Sequence, residues 1–453
     1  MGLTADLESL GADVATLSRI LALQLAATGS PKPTLAANGA PAFPLDRRVQ
    51  EPRLELIEKA TDLLHLATGA NDYWYFQAGL YLNYDASIVD VLNQFDFFSK
   101  VPLCGSTSYT ELSSATALPE NLIVRILQYA FTMRIFAPEH GESDRVVHTA
   151  FSAHMQRTPA LRSWIGHALE EGRPAAVHLA EALKEFHVGK DKPVENLDET
   201  PFSLAWPHLK NGNRATFYSI GVDDPKDAWR ATRFAEAARE TMMSDVEGIE
   251  NVVEAFHWDG LGNALVVDVG GGDGSLAAML ARKHPKLELK VQDLAGIEDT
   301  FKVVRSSDVA GRVSFEAQDF FDAQPRQADV FLLTRVLHNW ADTHAVRILR
   351  HLANALQPGG RIIICDNAIP GAADANAPPL SVRKGVAGAD LHMFTMLNAK
   401  ERTVEDWERL VQAVDRRLVI AKVHLAPVPG AMKSLIEVKH AYTQHVDGNT
   451  AGV

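Results

Sequence analysis

The sequence predicts an α/β protein in which a doubly wound parallel sheet follows an all-helical N-terminal domain. Three observations support this fold class. From Ala264 onwards, short apolar runs alternate with helical patterns, which is typical of a parallel sheet with helices on both faces. Between about residues 50 and 190 the apolar residues recur at helical spacing instead. One of the later apolar runs breaks abruptly into glycines, which let the backbone approach a ligand closely.

The chain begins with a predicted amphipathic helix and a linker, which together make up residues 1–48. The helix covers residues 3–27, and its apolar positions repeat at intervals of four and three: Leu3, Leu7, Leu10, Val14, Leu17 and Leu21. This spacing fits a short coiled-coil seam and, equally, a helix that packs on its own domain. Residues 28–47 are rich in proline, which is typical of a linker.

Residues 49–190 are predicted to form a helical domain. A short helix and a turn precede a second helix over Glu120–Met133, and a strand follows at Val146–His148; this order is like that of a winged helix. A DNA-binding module would need cations on the second helix, which offers Arg125 and Arg134 alone. The domain is therefore better interpreted as a packing or dimerisation scaffold.

Residues 191–453 are predicted to contain the sheet. Five strands are expected in a parallel arrangement, near 264–269, 287–292, 313–316, 328–333 and 360–366. Two further apolar runs, 418–423 and 434–438, are separated by a proline- and glycine-containing turn. We expect these two to form an antiparallel pair at the edge of the sheet.

Composition and charge exclude several classes of protein. Of the 453 residues, 46% are hydrophobic and 22% charged, which is ordinary for a globular protein. The net charge of −13 disfavours a nucleic-acid partner, because an acidic surface repels phosphates. The two cysteines, Cys104 and Cys365, cannot build a disulfide framework and suit a reducing compartment. With no apolar run of membrane-spanning length and no basic secretory start, a cytoplasmic protein without a membrane partner is expected.

The most informative segment is Val266–Ser275, an apolar run followed by Asp-Val-Gly-Gly-Gly-Asp-Gly. Its glycines fall at Gly270, Gly272 and Gly274, a spacing that differs from the dinucleotide fingerprint, and no triphosphate-binding motif follows. Asp293 lies about 20 residues downstream at the end of the next apolar run, where nucleotide folds place a ribose-binding carboxylate. The segment therefore indicates a nucleoside ligand, the alternative being a tight strand–helix turn that binds nothing.

Polar or aromatic side chains follow each of the later strands as well. Asp319 and Phe320 follow the third strand, where they could bond to a base edge and stack on adenine. His338 follows the fourth strand and is the candidate general base, since the ordinary pKa of histidine, near 6.5, suits proton removal at neutral pH. Either Asp366, at the end of the fifth strand, or Glu401 could orient its imidazole. The alternatives are a structural histidine and, for Glu401, a helix-capping role.

The ordered set of motifs resembles the S-adenosylmethionine-dependent O-methyltransferases of the plant caffeate and fungal sterigmatocystin types. The motifs are D-V-G-G-G-D-G, Val-Gln-Asp-Leu, Arg-Val-Leu-His-Asn-Trp-Ala-Asp, Leu-Gln-Pro-Gly-Gly-Arg and Asn-Ala-Lys-Glu-Arg-Thr, and the resemblance covers roughly residues 50–440. It implies a Rossmann-like methyltransferase domain that binds S-adenosyl-L-methionine. It also implies an N-terminal winged-helix-like domain through which a homodimer forms.

The same resemblance implies roles for individual residues, by their positions in the motifs. The cofactor-binding residues are Gly270, Gly272, Asp293, Asp319 and Phe320, of which Asp293 takes the ribose hydroxyls and the last two contact adenine. The catalytic residues are His338 as general base, Asp366 and Glu401 as its flanking carboxylates, and Arg335. The chemistry needs no metal, and no metal-ligand spacing is present in the sequence. The expected substrate is a phenolic or enolic hydroxyl of an aromatic or polyketide-derived secondary metabolite.

Three positions depart from the family pattern and motivate an alternative. Thr334 stands where Lys or Arg is usual, Asn339 replaces the common Asp after the histidine, and Asp366 replaces the usual Glu. A few fungal members of this fold retain the bound cofactor and run pericyclic or dehydration chemistry, for which Arg335 would polarise a carbonyl. A second alternative is a winged-helix regulator with a vestigial catalytic domain.

Overall fold

The computed structural model describes residues 5–206, 214–219, 225–243, 255–301, 304, 308–369, 378–424 and 434–441. Its contacts divide the chain into two compact units. The helical unit is Met1–Glu247 with Pro378–Gly388 and Val428–Ala431, and the sheet unit comprises the rest. The division falls near residue 247, whereas the sequence placed the start of the methyltransferase domain at 191; the functional boundaries remain a prediction.

The helical unit consists mostly of α-helices. Their bounds are α1 Leu7–Ala27, α2 Arg47–Asp72, α3 Leu82–Gln94, α4 Phe97–Lys100, α5 Tyr109–Thr116, α6 Glu120–Thr132, α7 Ala150–Arg157, α8 Pro159–Gly166, α9 Arg173–Val177, α10 Leu179–Ala182, α11 Pro201–Ala205 and α12 Ala228–Met243. Three π-helical segments, Tyr73–Tyr81, His167–Gly172 and Leu183–His187, continue or interrupt them. Helix α12 is described as far as Met243, and residues 244–254 lie outside the described residues.

Three short strands show that this region is not entirely helical. β1 is Thr107–Ser108, β2 is Phe136–Pro138 and β3 is Arg145–His148, and they form one antiparallel sheet in the order β1-β3-β2. The β2–β3 hairpin follows α5 and α6, and the predicted strand at Val146–His148 is part of it. The likeness to a winged helix stays a prediction.

Helix α1 is long and apolar enough to span a membrane, which the sequence analysis did not expect. Its 21 residues reach a mean hydropathy of 1.3 over the most apolar window. Core helices of globular proteins and N-terminal signal sequences share this length and apolar character. One face is buried, at Leu10, Leu17, Leu21 and Leu25, and Leu21 and Leu25 pack with Val49 of α2. Leu7, predicted on this face, is 54% exposed.

The sheet unit is built on a seven-stranded sheet. Its strands are β4 Ala264–Val269, β5 Leu287–Asp293, β6 Val313–Ala317, β7 Ala328–Thr334, β8 Leu356–Asp366, β11 Leu418–His424 and β12 Ser434–His440, in the order β11-β12-β8-β7-β4-β5-β6. β4 to β8 are parallel, and β11 and β12 are antiparallel to their neighbours. The predicted doubly wound sheet with an antiparallel edge pair is confirmed.

Four helices and a minor strand pair complete the described part of this unit. The helices are α13 Ser275–Lys283, α14 Asp342–Asn354, α15 Leu380–Leu397, whose first turns cluster with the helical unit, and α16 Val404–Val414. The strands β9 Ala368–Ile369 and β10 Arg402–Thr403 pair in parallel. Cys365 is buried in β8, and Cys104 is exposed in the helical unit. Parallel strands end at one edge of a sheet, so the ends of β4 to β8 bring the predicted site residues together.

Candidate active site

The glycine loop after β4 has a backbone conformation that residues with side chains rarely adopt. Gly270, Gly272 and Gly274 all have positive φ, at 70°, 56° and 78°. A Cβ on Gly270 would lie 2.9 Å from Val336 Cγ2 and 3.8 Å from Phe320 Cε1. Gly270 is therefore held against the segments that follow β6 and β7, and the loop leaves its backbone open to a ligand.

Asp293, at the end of β5, holds this loop. Its Oδ2 accepts a hydrogen bond of 2.9 Å from the backbone N–H of Gly272, and its Oδ1 accepts one of 2.7 Å from Leu294. Burial raises the pKa of Asp293, and these two backbone donors partly offset that rise. A carboxylate fixed beside a glycine loop at a strand end fits the hydroxyls of a ribose.

Asp268 lies beneath the loop and was not singled out from the sequence. It is 1% exposed, and its Oδ2 has no hydrogen-bond partner within the described residues. A Cβ on Gly271 would approach this oxygen to 2.6 Å. Burial, with the nearby charges of Asp293 and Asp273, raises the pKa of Asp268 to about 7. An orphaned buried oxygen below a bare glycine loop fits a cofactor that carries polar groups.

Asp319 and Phe320 follow β6 as predicted. Asp319 is exposed, and its Oδ1 accepts the backbone N–H of Phe321 at 2.8 Å, so Oδ2 would have to make any contact with a base edge. Phe320 is half-buried, with its ring edge-on to Trp340 at 5.8 Å between centroids. The ring thus lies between the glycine loop and the segment after β7, where it can stack on an adenine.

His338 and Glu401 form a buried hydrogen-bonded pair. His338 lies on a 3₁₀ turn, Leu337–Asn339, just after β7, and its Nδ1 is 2.8 Å from Glu401 Oε1. Their side chains are 7% and 3% exposed. Glu401 does not cap α16, whose N-cap is Thr403 in a capping box with Asp406. With Nδ1–H donating to Glu401, Nε2 is the ring nitrogen that can accept a proton.

Glu401 has further partners that keep it ionised. Asn367 Nδ2 donates to its Oε2 at 2.9 Å. Burial raises the pKa of Glu401, but the charge and hydrogen bond of His338, the amide of Asn367 and the charge of Arg335 together lower it below its ordinary value. Asn367 was not singled out from the sequence. Its amide at a strand end was the signal that could have drawn attention to it.

Asp366 is the other predicted carboxylate, and the structure gives it a different environment. It is 2% exposed at the end of β8, and among the residues that the structure describes no group bonds to its Oδ2. Burial raises its pKa to about 6, although the charge of His338 opposes this. Of the two carboxylates that the sequence left open, Glu401 therefore holds the imidazole, and Asp366 lies nearby without doing so.

Arg335 has an unusual backbone for a residue with a side chain. Its φ is 55°, in the left-handed region, while its N–H donates to the carbonyl of Cys365 at 3.1 Å. Asn339 Nδ2 donates to the carbonyl of Arg335 at 3.2 Å, so one of the departures from the family pattern helps to close this turn. The positive charge of Arg335 lowers the pKa of both Asp366 and Glu401, so a cation lies in this site. Strained backbone is common at functional sites.

Arg402 is another residue whose position the sequence did not reveal. It is 0% exposed and donates to the carbonyls of Leu337 and Trp340 and to the carboxylate of Asp342. The N-cap of α14 is Ala341, and Asp342 is the first residue of the helix, paired with Arg402. Throughout the described ranges, no group of three or more His, Cys, Asp or Glu side chains is arranged to hold a metal ion.

Known proteins resemble the chain in sequence and in fold. A family model described as the O-methyltransferase domain matches residues 212–414. The O-methyltransferase pgmB of Aspergillus terreus is 30% identical over 446 residues, which cover 96% of this chain and 96% of that protein. Among solved structures, O-methyltransferase NcsB1 from neocarzinostatin biosynthesis, in complex with S-adenosylmethionine and 2-hydroxy-5-methyl naphthoic acid, is 22% identical with a TM-score of 0.61, covering 79% and 96% of the two chains. A pericyclic reaction enzyme is 19% identical with a TM-score of 0.70, covering 96% and 100%.

The two solved structures show the fold, because their identity to this chain is low. The relative from Aspergillus terreus shows the family, because the similarity extends over nearly the whole of both proteins. The glycine loop with Asp293 and the buried Asp268 fit the cofactor of that family. The chain therefore belongs to the S-adenosylmethionine-dependent O-methyltransferases.

Proposed function

We propose that this enzyme methylates a phenolic or enolic hydroxyl of an aromatic or polyketide-derived secondary metabolite, with His338 as the general base. The observation that carries the proposal is the buried His338–Glu401 pair at the end of β7. Val336, two residues before His338, contacts Gly270 of the loop that would hold the cofactor. The base and the cofactor loop therefore belong to one edge of the sheet.

In the proposed mechanism, the chain aligns the acceptor and removes its proton. When bound, S-adenosyl-L-methionine supplies an activated methyl group, and Gly270, Gly272, Asp293, Asp319 and Phe320 would hold it. His338 Nε2 accepts the proton of the substrate hydroxyl as its oxygen becomes the nucleophile. Glu401 then stabilises the imidazolium through Nδ1, as the acid of a triad does.

Methyl transfer is tested with methyl-labelled cofactor and a panel of phenols that includes 2-hydroxynaphthoic acids. We expect label in the product and a fall in kcat of roughly 10²–10⁴-fold for His338→Ala, the range typical of a lost general base. The exposed His140 of the helical unit supplies the control, since His140→Ala should keep wild-type kcat. Equal turnover by His338→Ala and wild type would remove the base assignment.

We also propose that the enzyme is a homodimer formed through the helical unit. Support comes from the π-helical segment Tyr73–Tyr81, in which Trp74 and Tyr75 are 70% and 73% exposed. Apolar surface of this kind is typical of protein interfaces. Light scattering after gel filtration should give a dimer mass for wild type and a monomer mass for the Trp74→Glu, Tyr75→Glu double variant. A wild-type monomer would contradict the proposal. For its localisation we propose the cytoplasm, since neither Cys104 nor Cys365 is in a disulfide.

A second candidate function is pericyclic or dehydration chemistry with the cofactor retained. It is favoured by Arg335, a cation held at positive φ beside the buried carboxylates, which could polarise a substrate carbonyl. The fold similarity to a pericyclic reaction enzyme is compatible with it. Mass spectrometry separates the two candidates, because methyl transfer adds one methyl group and releases S-adenosylhomocysteine, whereas isomerisation does neither. The regulator hypothesis has no comparable support, because the family is one of enzymes.

A further inference from the structure

We infer that Arg402 is a positioning residue for catalysis, which holds the backbone on both sides of His338 while Glu401, its neighbour in sequence, holds the imidazole. This inference rests on the proposed role of His338 as the base. Arg402 is completely buried, and without this role it would be a packing residue only.

Glu401 and Arg402 are adjacent in sequence but contact different parts of the turn that carries His338. Arg402 and Thr403 form β10, which pairs in parallel with β9, and Glu401 directly precedes them. Successive side chains along an extended segment point to opposite sides. Glu401 thus reaches the His338 ring, while Arg402 reaches the main chain of the turn that carries it.

Arg402 donates hydrogen bonds to the backbone on both sides of His338. Nη1 donates to the carbonyl of Leu337 at 2.7 Å, and Nη2 donates to the carbonyl of Trp340 at 2.8 Å. Nε and Nη2 both donate to Asp342 Oδ1, at 3.0 and 2.8 Å. We call these contacts the Arg402 clamp. They bind the residues before and after His338–Asn339 and the first residue of α14.

The side chain of Arg402 is itself held in place by a neighbouring aromatic ring. The Arg402 guanidinium lies 5.1 Å from the centroid of the Trp407 ring, and Trp407 Nε1 donates to the carbonyl of Asn367 at 2.8 Å. Asn367 in turn donates to Glu401. Both supports of His338, the ring partner and the backbone partner, are therefore fixed by the same small group of residues.

Lysine cannot reproduce this arrangement. A guanidinium presents five donors in a planar fork, whereas an ammonium is a point charge on a flexible stem. Arg402→Lys keeps the charge near Asp366 and Glu401 but loses the simultaneous bonds to two carbonyls and a carboxylate. Since a misplacement of about 1 Å can cost roughly 10²-fold in rate, we expect Arg402→Lys to lower kcat by roughly 10–100-fold. Binding of S-adenosyl-L-methionine, measured by calorimetry, should remain at the wild-type level.

A double-mutant cycle tests positioning against a purely structural role. Arg402→Lys is compared in the wild-type and His338→Ala backgrounds, with Arg409→Lys as the control, because Arg409 lies on α16 with its side chain 70% exposed. If Arg402 acts through His338, its effect on kcat should shrink to within roughly 3-fold once His338 is absent. An equal loss in both backgrounds, or no loss in either, would overturn the inference.

Asp342→Asn provides a second variant that leaves Arg402 in place. It should lower kcat by a smaller factor, again only when His338 is present, and it decides the question if Arg402→Lys does not fold. Unchanged kcat in a folded Asp342→Asn variant would then overturn the clamp. Failure of the proposed function looks different: His338→Ala would keep wild-type kcat whatever the Arg402 variants do.

Discussion

Among the residues that the structure describes, each unit contains a His–Glu pair in which both side chains are less than 10% exposed, and the two pairs differ in what else holds the glutamate. In the sheet unit, His338 is 2.8 Å from Glu401, whose other side-chain donor is the neutral amide of Asn367. In the helical unit, His167 Nδ1 is 3.2 Å from Glu171, and both side chains are 3% exposed. We call them the sheet-unit pair and the helical-unit pair.

Glu171 of the helical-unit pair is bound by two guanidinium groups as well. Arg230 and Arg233 both donate to its Oε1. Burial raises the pKa of Glu171, but the hydrogen bond of His167 and the charge of Arg233 lower it below its ordinary value. The His167 ring is enclosed by Phe217 and Phe234, with centroids 5.7 and 5.1 Å away. Two cations already match the charge of Glu171, so we expect the helical-unit pair to stabilise the fold rather than to move a proton. With His338 as the proposed base, the other donors to the carboxylate, rather than its burial or the pair itself, are what distinguish this base from a structural histidine.

The largest effect should come from Glu401→Gln. Losing the negative charge removes the stabilisation of the imidazolium while the ring partner stays similar in shape, so kcat should fall about 10³-fold. Binding of S-adenosyl-L-methionine should not change, because Glu401 is not among its predicted contacts. Glu171→Gln is the matched control variant in the helical-unit pair. If it folds and loses as much kcat as Glu401→Gln does, the two pairs do not differ in the way we describe.

The next effect concerns stability and belongs to the helical-unit pair. Glu171→Gln leaves Arg230 and Arg233 without a buried counter-charge, so the free energy of unfolding should fall by about 3 kcal/mol. Denaturant titration measures this. Glu170→Gln is the control, because Glu170 also pairs with Arg233 but is 20% exposed, and its loss should be smaller. A larger loss for Glu170→Gln than for Glu171→Gln would contradict our account of the pair.

A pH-dependent effect is expected at Asp366, beside the sheet-unit pair. Its pKa is raised from 3.8 to about 6, so folding favours the protonated carboxyl. This contribution to stability is complete below pH 3.8 and is lost as the pH rises through 6. Asp366→Asn should therefore match wild type near pH 4 and exceed its unfolding free energy by up to about 3 kcal/mol above pH 7. Thermal melts at several pH values, with the exposed Asp322→Asn as control, would show whether the gain appears only on the alkaline side.

The smallest effect should come from Asn367→Ala. Glu401 then loses one hydrogen bond to its Oε2 but keeps His338, so kcat should fall by about 10-fold, as expected for one bond to a charged group. Asn367→Asp sharpens the test, since a second negative charge at this position should disturb the pair more than alanine does. If alanine and aspartate are equally harmless, the amide of Asn367 does not maintain Glu401.

Much of the sheet and of the site could be predicted because the relevant signals are local. The apolar runs predicted the strands from β4 to β7 to within one residue. The spacing after the glycines placed Asp293 at the end of β5, where the structure shows its carboxylate accepting from Gly272. β8 begins earlier than predicted, at Leu356, because a register shift opposite Ala328–Val330 carries the strand through Gly359 at φ 83°. An irregularity of this kind depends on the neighbouring strand, and the sequence pattern of β8 cannot show it.

What the sequence could not supply were contacts between distant segments. Glu401 is 63 residues from His338, and only the fold decides that it, rather than Asp366, reaches the ring. Arg402 stands in a motif that was recognised, yet its acceptors are backbone carbonyls, which leave no mark on the sequence. The helical-unit pair has a local spacing of four residues, but what distinguishes it are Arg230 and Arg233, which come from another helix.

The two cysteines can report on the opening of the sheet, because one is exposed and the other is buried. Cys104 is exposed, whereas Cys365 lies within β8 in register with Thr334 on one side and Leu435 on the other. A maleimide dye should therefore attach to a single sulfur in the folded enzyme and to a second one only after β8 separates from its neighbours. The rate at which the second dye is taken up would time that separation without any engineered label.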